Sequence, residues 1–226
     1  MTFDLSGKRV LVTQANDYMG PQSVETFREA GAEVIADTAN LTDPEAPARI
    51  VAEAGHLDIL IANLAAPNHY GITVADLDDA TWASMFDVMV HPLHRLVRAV
   101  APQMIERERG KVIVFGSATP LRGLPRLAAY TAARSAQAGY VRSVGAELAH
   151  NYIQVNLIAQ NWVESKVYYP KSLQENPKFQ PNLKREVPLG RLARPEEDTA
   201  FALFLASDES DFFVGQAIPF AGGWVS

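Results

Sequence analysis

Apolar residues fall along the chain in short runs, separated by stretches with helical spacing. Lys8–Thr13 (KRVLVT), Ala32–Asp37 (AEVIAD), Leu57–Asn63 (LDILIAN), Gly110–Gly116 (GKVIVFG), Ile153–Ile158 and Gly215–Phe220 each read as a strand. Several are almost continuously apolar, as expected of strands buried on both faces. The stretches between them predict helices. Gly20–Gly31 carries Val24 and Phe27 on one face. A second helix runs to about Ala54, with Asp43 as its N-cap and Pro44 as its first residue. A long one covers Asp79–Arg107, where Pro92 and Pro102 predict a kink or a break. Leu127–His150 and Pro195–Ala206 complete the set. Strand and helix alternation predicts an α/β chain with a doubly wound parallel sheet of about six strands, as a single domain over residues 1–226. The segment Ala159–Arg194 is long, aromatic and proline-bearing, which predicts a lid over a site.

Composition narrows the function. The chain has 226 residues, 48% hydrophobic and 20% charged, enough for one sizeable core. A net charge of −6 disfavours a nucleic-acid partner. Cysteine is absent, which excludes disulfides and a cysteine nucleophile. No apolar run approaches the roughly 18 residues of a membrane span, and the first residues do not read as a signal peptide. A cytoplasmic protein without a membrane partner is the expectation. His91 and His94 have helical i, i+3 spacing but no evident third ligand, so no metal is expected. His56, His69 and His150 read as ordinary surface or loop residues.

Several short pieces carry chemistry by their order. Thr13–Gly20 (TQANDYMG) follows the first strand, Ile61–Ala65 (IANLA) ends the third, Ser117 follows the fourth, and Tyr130 lies in the next helix. Val155 and Asn156 lie in the fifth strand, and Val214–Gln216 and Ala221–Gly223 close the chain. Together they resemble the short-chain dehydrogenase/reductase superfamily over essentially the whole chain, which implies a Rossmann-like fold. The departures are specific. The dehydrogenases place T-G-x-x-x-G-x-G after the first strand, so that the backbone can approach a pyrophosphate. Here Gln14 and Tyr18 fill the first two glycine positions, and Asp17 adds negative charge. One βα unit is missing between the strands at Ala32 and Leu57. Asp37 stands where NAD enzymes bind ribose, yet it reads as a solvated strand end once the phosphate loop is lost. The Y-x-x-x-K pair has become Tyr130 and Arg134, and the helical catalytic asparagine would fall near Met89.

These substitutions resemble the halohydrin dehalogenase family, whose patterns are T-x4-[F/Y]-x-G and S-x12-Y-x3-R. Thr13, Tyr18 and Gly20 match the first, and Ser117, Tyr130 and Arg134 the second. Asn161 and Trp162, after Gln160, stand where dehydrogenases commonly read Pro-Gly and fit the family's asparagine followed by an aromatic. The resemblance implies a lyase without cofactor that closes vicinal haloalcohols to epoxides and releases halide, reversible with small anions. It implies Ser117, Tyr130 and Arg134 as catalytic residues, and Tyr18, Asn161, Trp162 and Tyr169 around the halide, with Tyr168 able to exchange roles with Tyr169. It also implies a homotetramer built on Asp79–Arg107 and Leu127–His150.

The chemistry suits the residues. Ring closure is an internal displacement, so it needs a base, a grip on the oxygen and a hole for the anion. A free phenol has a pKa of about 10. Arg134, one helical turn from Tyr130, is expected to favour the phenolate. Ser117 can hydrogen-bond the substrate oxygen. Aromatic edges and asparagine N–H groups suit a halide. The competing readings are an NAD(P)-dependent reductase with a degenerate cofactor loop and a scaffold without activity. In the plainer readings, Tyr18 and Trp162 are core aromatics and Arg134 is a surface residue.

Overall fold

The computed structural model describes residues 3–67 and 70–225. Its strands are β1 (Arg9–Val12), β2 (Glu33–Ala36), β3 (Ile59–Asn63), β4 (Gly110–Phe115), β5 (Ile153–Gln160) and β6 (Ala217–Phe220). The helices are α1 (Gly20–Glu29), α2 (Ala46–Ala54), α3 (Asp79–Met89), α4 (His91–Glu106), α5 (Thr119–Arg122), α6 (Ala128–Leu148), α7 (Lys171–Gln174), α8 (Phe179–Glu186) and α9 (Pro195–Ala206). The strands form one sheet in the order β2-β1-β3-β4-β5-β6. Every pairing is parallel, with Val12 beside Ile61 and Phe115 beside Asn63 and Ile158.

Residue alternation along the strands sorts side chains to two faces. Leu11, Leu60, Val112, Val114, Val155 and Leu157 pack with α2, α4 and α6. Val10, Val12, Ile59, Ile61, Ile113 and Phe115 pack with α1 and α9 on the other face. The sheet is therefore doubly wound and Rossmann-like, as expected. It has six strands, with β2 at its edge, where the missing βα unit would have extended it. The chain runs from β1 outward to β2 and returns to β3 on the other side of β1. That reversal opens a crevice at the carboxyl ends of β1 and β3, where such sheets place their sites.

Three details differ from the sequence reading. α2 begins at Ala46, not at Pro44: the Asp43 carboxylate accepts the Glu45 N–H at 3.1 Å in a local turn, and Pro47 fixes the first helical turn instead. The long helix breaks at Val90, so that Pro92 lies in the first turn of α4, where its missing N–H costs nothing. Pro102, by contrast, lies inside α4, on its exposed face, without ending it. The lid segment holds two short helices, α7 and α8, and is pinned by a parallel bridge between Val163 and Ala193. Among the described residues no helix is long and apolar enough to cross a membrane.

A cavity of about 320 Å³ opens at the opposite, amino end of the strands, between Lys8, Asp58, Arg109, Lys111 and Asp208. Two of its cations are paired within the wall, Arg109 with Asp208 at 2.8 Å and Lys111 with Asp211 at 2.7 Å. It lies far from the crevice between β1 and β3.

Candidate active site

The turn after β1 keeps its shape with side chains where glycine would be easiest. Gln14 has φ 45° and Tyr18 φ 51°, both in the left-handed region that a side chain enters at a cost of roughly 1–3 kcal/mol. The Gln14 amide is fixed by a two-way exchange with the end of β3: Nε2 donates to Ala65 O at 3.2 Å, and Ala65 N–H donates to Oε1 at 2.9 Å. The Asn63 amide donates to Gln14 O at 3.0 Å and Asp17 O at 2.9 Å, tying the same turn to β3. Gly20 remains a glycine because a Cβ there would stand 2.1 Å from Gln14 O.

Tyr18 extends from this turn against Tyr168 of the lid, with ring centroids 5.4 Å apart, and Tyr168 meets Tyr130 edge-on at 6.5 Å. The Tyr168 hydroxyl donates to Ala66 O at 2.7 Å. Burial, reinforced by Asp17, pushes the Tyr18 phenol up to about 12 against the pull of Arg134. Burial and then Tyr130 drive Tyr168 well above the ordinary phenol value, and Arg134 opposes them.

Tyr130, Arg134 and Gln137 lie on one buried stripe of α6. Arg134 is 1% exposed, and its guanidinium sits 5.1 Å from the Tyr130 ring. Its Nη1 donates to Leu64 O at 3.0 Å, Phe115 O at 3.0 Å and Gln137 Oε1 at 2.9 Å. The first acceptor directly follows β3 and the second ends β4, so this one side chain clamps α6 to the carboxyl edge of the sheet. Burial works against its charge. The facing Tyr130 and Tyr168 hydroxyls outweigh that and hold its pKa above the ordinary guanidinium value. Ser117, two residues beyond Phe115, is buried; its Oγ accepts the Thr119 N–H at 3.2 Å and lies 3.1 Å from Thr119 Oγ1.

A second cluster starts at the end of β5. Trp162 has φ 59°, another left-handed residue at a position where the dehydrogenases commonly read glycine. Asn161 Oδ1 accepts the Trp162 N–H at 2.9 Å and the Tyr169 hydroxyl at 3.3 Å, which leaves its Nδ2 as an unused donor among the described residues. The Trp162 ring stacks on Tyr169 at 5.3 Å and tilts against Phe179 at 6.5 Å. Its Nε1 is buried and has no partner among the described residues. Burial, followed by Tyr130, raises the Tyr169 pKa.

The structure thus divides the residues singled out from the sequence. Tyr18 joins Tyr168, Tyr130 and Arg134, while Asn161, Trp162 and Tyr169 form a neighbouring group with Phe179. Tyr168 and Tyr169 therefore do different things: the first faces Tyr130, and the second orients Asn161. The sequence reading had not used Gln137; its signal was a glutamine on the core stripe of a helix. Met89, where an asparagine would have stood, is fully buried. Asp37 ends β2 half-buried, with its carboxylate accepting the Ala39 N–H at 3.3 Å. His91 lies 3.8 Å from Asp87, His94 packs edge-on against Tyr140 at 6.0 Å, and His56 meets Asp58 at 3.1 Å. Among the described residues no three metal-ligating side chains converge. His69 lies outside the described residues.

A dinucleotide does not fit these residues. The pyrophosphate cradle would need bare backbone at Gln14 and Tyr18, and there the Gln14 amide is bonded across to β3 and the Tyr18 ring packs on the lid. At the lysine position, the arginine's Nη1 is directed at Leu64 O, Phe115 O and Gln137.

Comparison with known proteins agrees with the fold and narrows the relationship. Residues 1–225 match the family model described as Enoyl-(Acyl carrier protein) reductase. A curated relative, Dehydrogenase/reductase SDR family member 4 from Bos taurus, is 27% identical over 97% of this chain and 79% of its own length. A solved structure described as a dehalogenation enzyme superposes with a TM-score of 0.92 at 31% identity, covering 100% of both chains. A halohydrin dehalogenase (HheC) bound to ethyl (2S)-oxiran-2-ylacetate gives a TM-score of 0.89 at 25% identity, over 97% of this chain and 98% of that one. The chain therefore belongs to the short-chain dehydrogenase/reductase family and has dehalogenation enzymes among its structural neighbours.

Proposed function

We propose that this enzyme closes vicinal haloalcohols to epoxides with release of halide, and that it does so without a nicotinamide cofactor. The observation that carries this reading is Arg134. It replaces the family's lysine, lies buried at 5.1 Å from the Tyr130 ring, and has its Nη1 bonded to Leu64 O, Phe115 O and Gln137 Oε1. A cation so placed serves the tyrosine and not a ribose.

The step balances with the residues present. Tyr130, as phenolate, takes the proton of the substrate hydroxyl. Arg134 stabilises the anionic form of the tyrosine by its fixed charge. Ser117 Oγ donates to the substrate oxygen. That oxygen attacks the adjacent carbon, the C–O bond forms as the carbon–halogen bond breaks, and halide leaves with the bonding pair. Nucleophile and electrophile are tethered, so positioning supplies much of the acceleration. The halide is received beside Asn161 Nδ2 and Trp162 Nε1, a buried donor otherwise without a partner. Tyr169 holds Asn161, and Tyr18 closes the other side through Tyr168. The epoxide-bound neighbour supports this reading.

A second reading, an NAD(P)-dependent reductase with a degenerate cofactor loop, is favoured by the family model and by the bovine dehydrogenase. Two titrations separate the readings. Bromide should quench tryptophan fluorescence, and NADH and NADPH should show no binding-induced change in their own emission. Nicotinamide binding at micromolar concentration, without a bromide effect, would replace the first reading by the second.

A further inference from the structure

A buried arginine is ordinarily matched by a carboxylate, because an unpaired charge away from water is costly. Arg134 has no such match among the described residues. The ion pairs of the chain lie elsewhere, and the groups that act on its charge are the tyrosines at positions 130 and 168. Beside those hydroxyls, its Nη1 donates to the side chain of Gln137, at Oε1, at 2.9 Å. Gln137 is fully buried, three residues further along the same face of α6. Its other end is also committed, since Nε2 donates to Met89 O at 2.8 Å. Met89 is the last residue of α3, just before the break at Val90. The two partners fix which end of the amide is oxygen: only Oε1 can accept from Arg134, and only Nε2 can donate to a carbonyl.

We propose that Gln137 is a positioning residue for the reaction. It aims the Arg134 guanidinium at Tyr130 and satisfies one of its protons without neutralising it. The inference rests on the reading of Tyr130 as base. A glutamate of the same length would hold the guanidinium but cancel its charge, and it could not donate to Met89 O. An apolar residue would keep the charge but lose the aim, and it would leave Met89 O without its donor. The neutral amide is the one side chain of this length that does both. The charged and titratable groups that interact with Tyr130 are Arg134 from α6, Tyr18 from the turn after β1, and Tyr168 and Tyr169 from the lid, with Asp17 acting on Tyr18. None of these but Arg134 carries positive charge, so the loss of its field would be felt without compensation.

The test is a titration of the free protein labelled with ζ-¹³C tyrosine, in which Tyr130→Phe assigns the Tyr130 signal. In Gln137→Glu, the Tyr130 signal should titrate about one pH unit or more above the wild type, since the added carboxylate stays ionised beside the arginine. The rising limb of kcat against pH should move by the same amount, with KM little changed. Gln137→Met, which adds no charge, should leave the midpoint near the wild-type value but lower kcat by about tenfold through loss of aim. A folded Gln137→Glu protein whose Tyr130 signal titrates as the wild type does would overturn the proposal. So would a Gln137→Met protein with wild-type kcat, which serves if the charged variant does not fold. The titration uses no substrate. Failure of every variant and the wild type to release halide would therefore count against the dehalogenase reading and leave the midpoint comparison standing.

Discussion

The guanidinium of Arg134 lies 5.1 Å from the ring of Tyr130, one turn earlier on α6, and bonds at the same time to the carbonyl that directly follows β3 and the one that ends β4. One side chain thus links Tyr130 to the sheet. Replacing it tests both roles. Arg134→Met should shift the rising limb of the activity profile to higher pH, because the phenolate loses its neighbouring charge. It should also lower stability by several kcal/mol, at about 1–3 kcal/mol for each buried acceptor left without a donor. Activity profiles and thermal melts of the variant check the two effects separately. A melt without a shifted profile would make Arg134 a structural clamp alone.

Trp162 Nε1, without a partner among the described residues, gives the proposed halide site its sharpest test. Trp162→Phe keeps an aromatic ring against Tyr169 and Phe179 but removes the donor. Bromide inhibition should weaken by about tenfold or more, the size expected for one hydrogen bond to a charged group. Trp82→Phe, at an exposed position on α3, should leave the inhibition constant unchanged. Equal effects from the two substitutions would place the halide elsewhere.

Asp198 in α9 is a fully buried carboxyl with neither oxygen partnered among the described residues. Burial holds its pKa well above the ordinary 3.8. The folded state therefore favours the neutral acid. Its stabilising contribution is full below about pH 4 and is lost as pH rises through the folded value, because the unfolded chain gains more by ionising. Asp198→Leu should accordingly match the wild type most closely at pH 4. At pH 8 it should melt higher, by about 2–4 °C for each kcal/mol recovered. A difference between the two proteins that does not widen with pH would show that the carboxyl finds a partner in solution.

Assembly is the fourth test. Trp82 is exposed and Phe86 half-buried on α3, and they pack on one another at 5.3 Å, an apolar patch on a helix of the expected tetramer interface. Sedimentation at micromolar concentration should give a homotetramer, and Trp82→Glu with Phe86→Glu should dissociate it. A monomeric wild type would remove the proposal.

Much of the fold and part of the site could be read from residue order. Nearly continuous apolar runs specify strands wherever both faces are covered, which is why the ends of β3 and β4 were readable to within a residue or two. Replaced glycines were also informative. Gln14, Tyr18 and Trp162 all keep positive φ, so the backbone retains the family's shape while side chains fill the space that glycine would leave open. What could not be read depends on long-range packing. The start of α2 turned on whether Asp43 capped the helix or closed a turn with Glu45. The choice between Tyr168 and Tyr169 needed the lid's path, because neighbouring residues in an irregular segment follow no period. Gln137 looked like any helix polar residue until Met89 O and Arg134 were both seen to meet it.

The central claim, that Tyr130 and Arg134 run a halide-releasing ring closure unaided by nicotinamide, is tested most directly by halide release. Purified protein is given a panel of vicinal chloro- and bromo-alcohols with no added cofactor, beside the Tyr130→Phe variant. The account predicts steady release of halide with one epoxide formed per ion. It also predicts a loss of about 10²–10⁴-fold in the variant, whose ring still packs against Arg134 and Tyr168. No halide from any substrate, together with carbonyl reduction when NADPH is supplied, would contradict it.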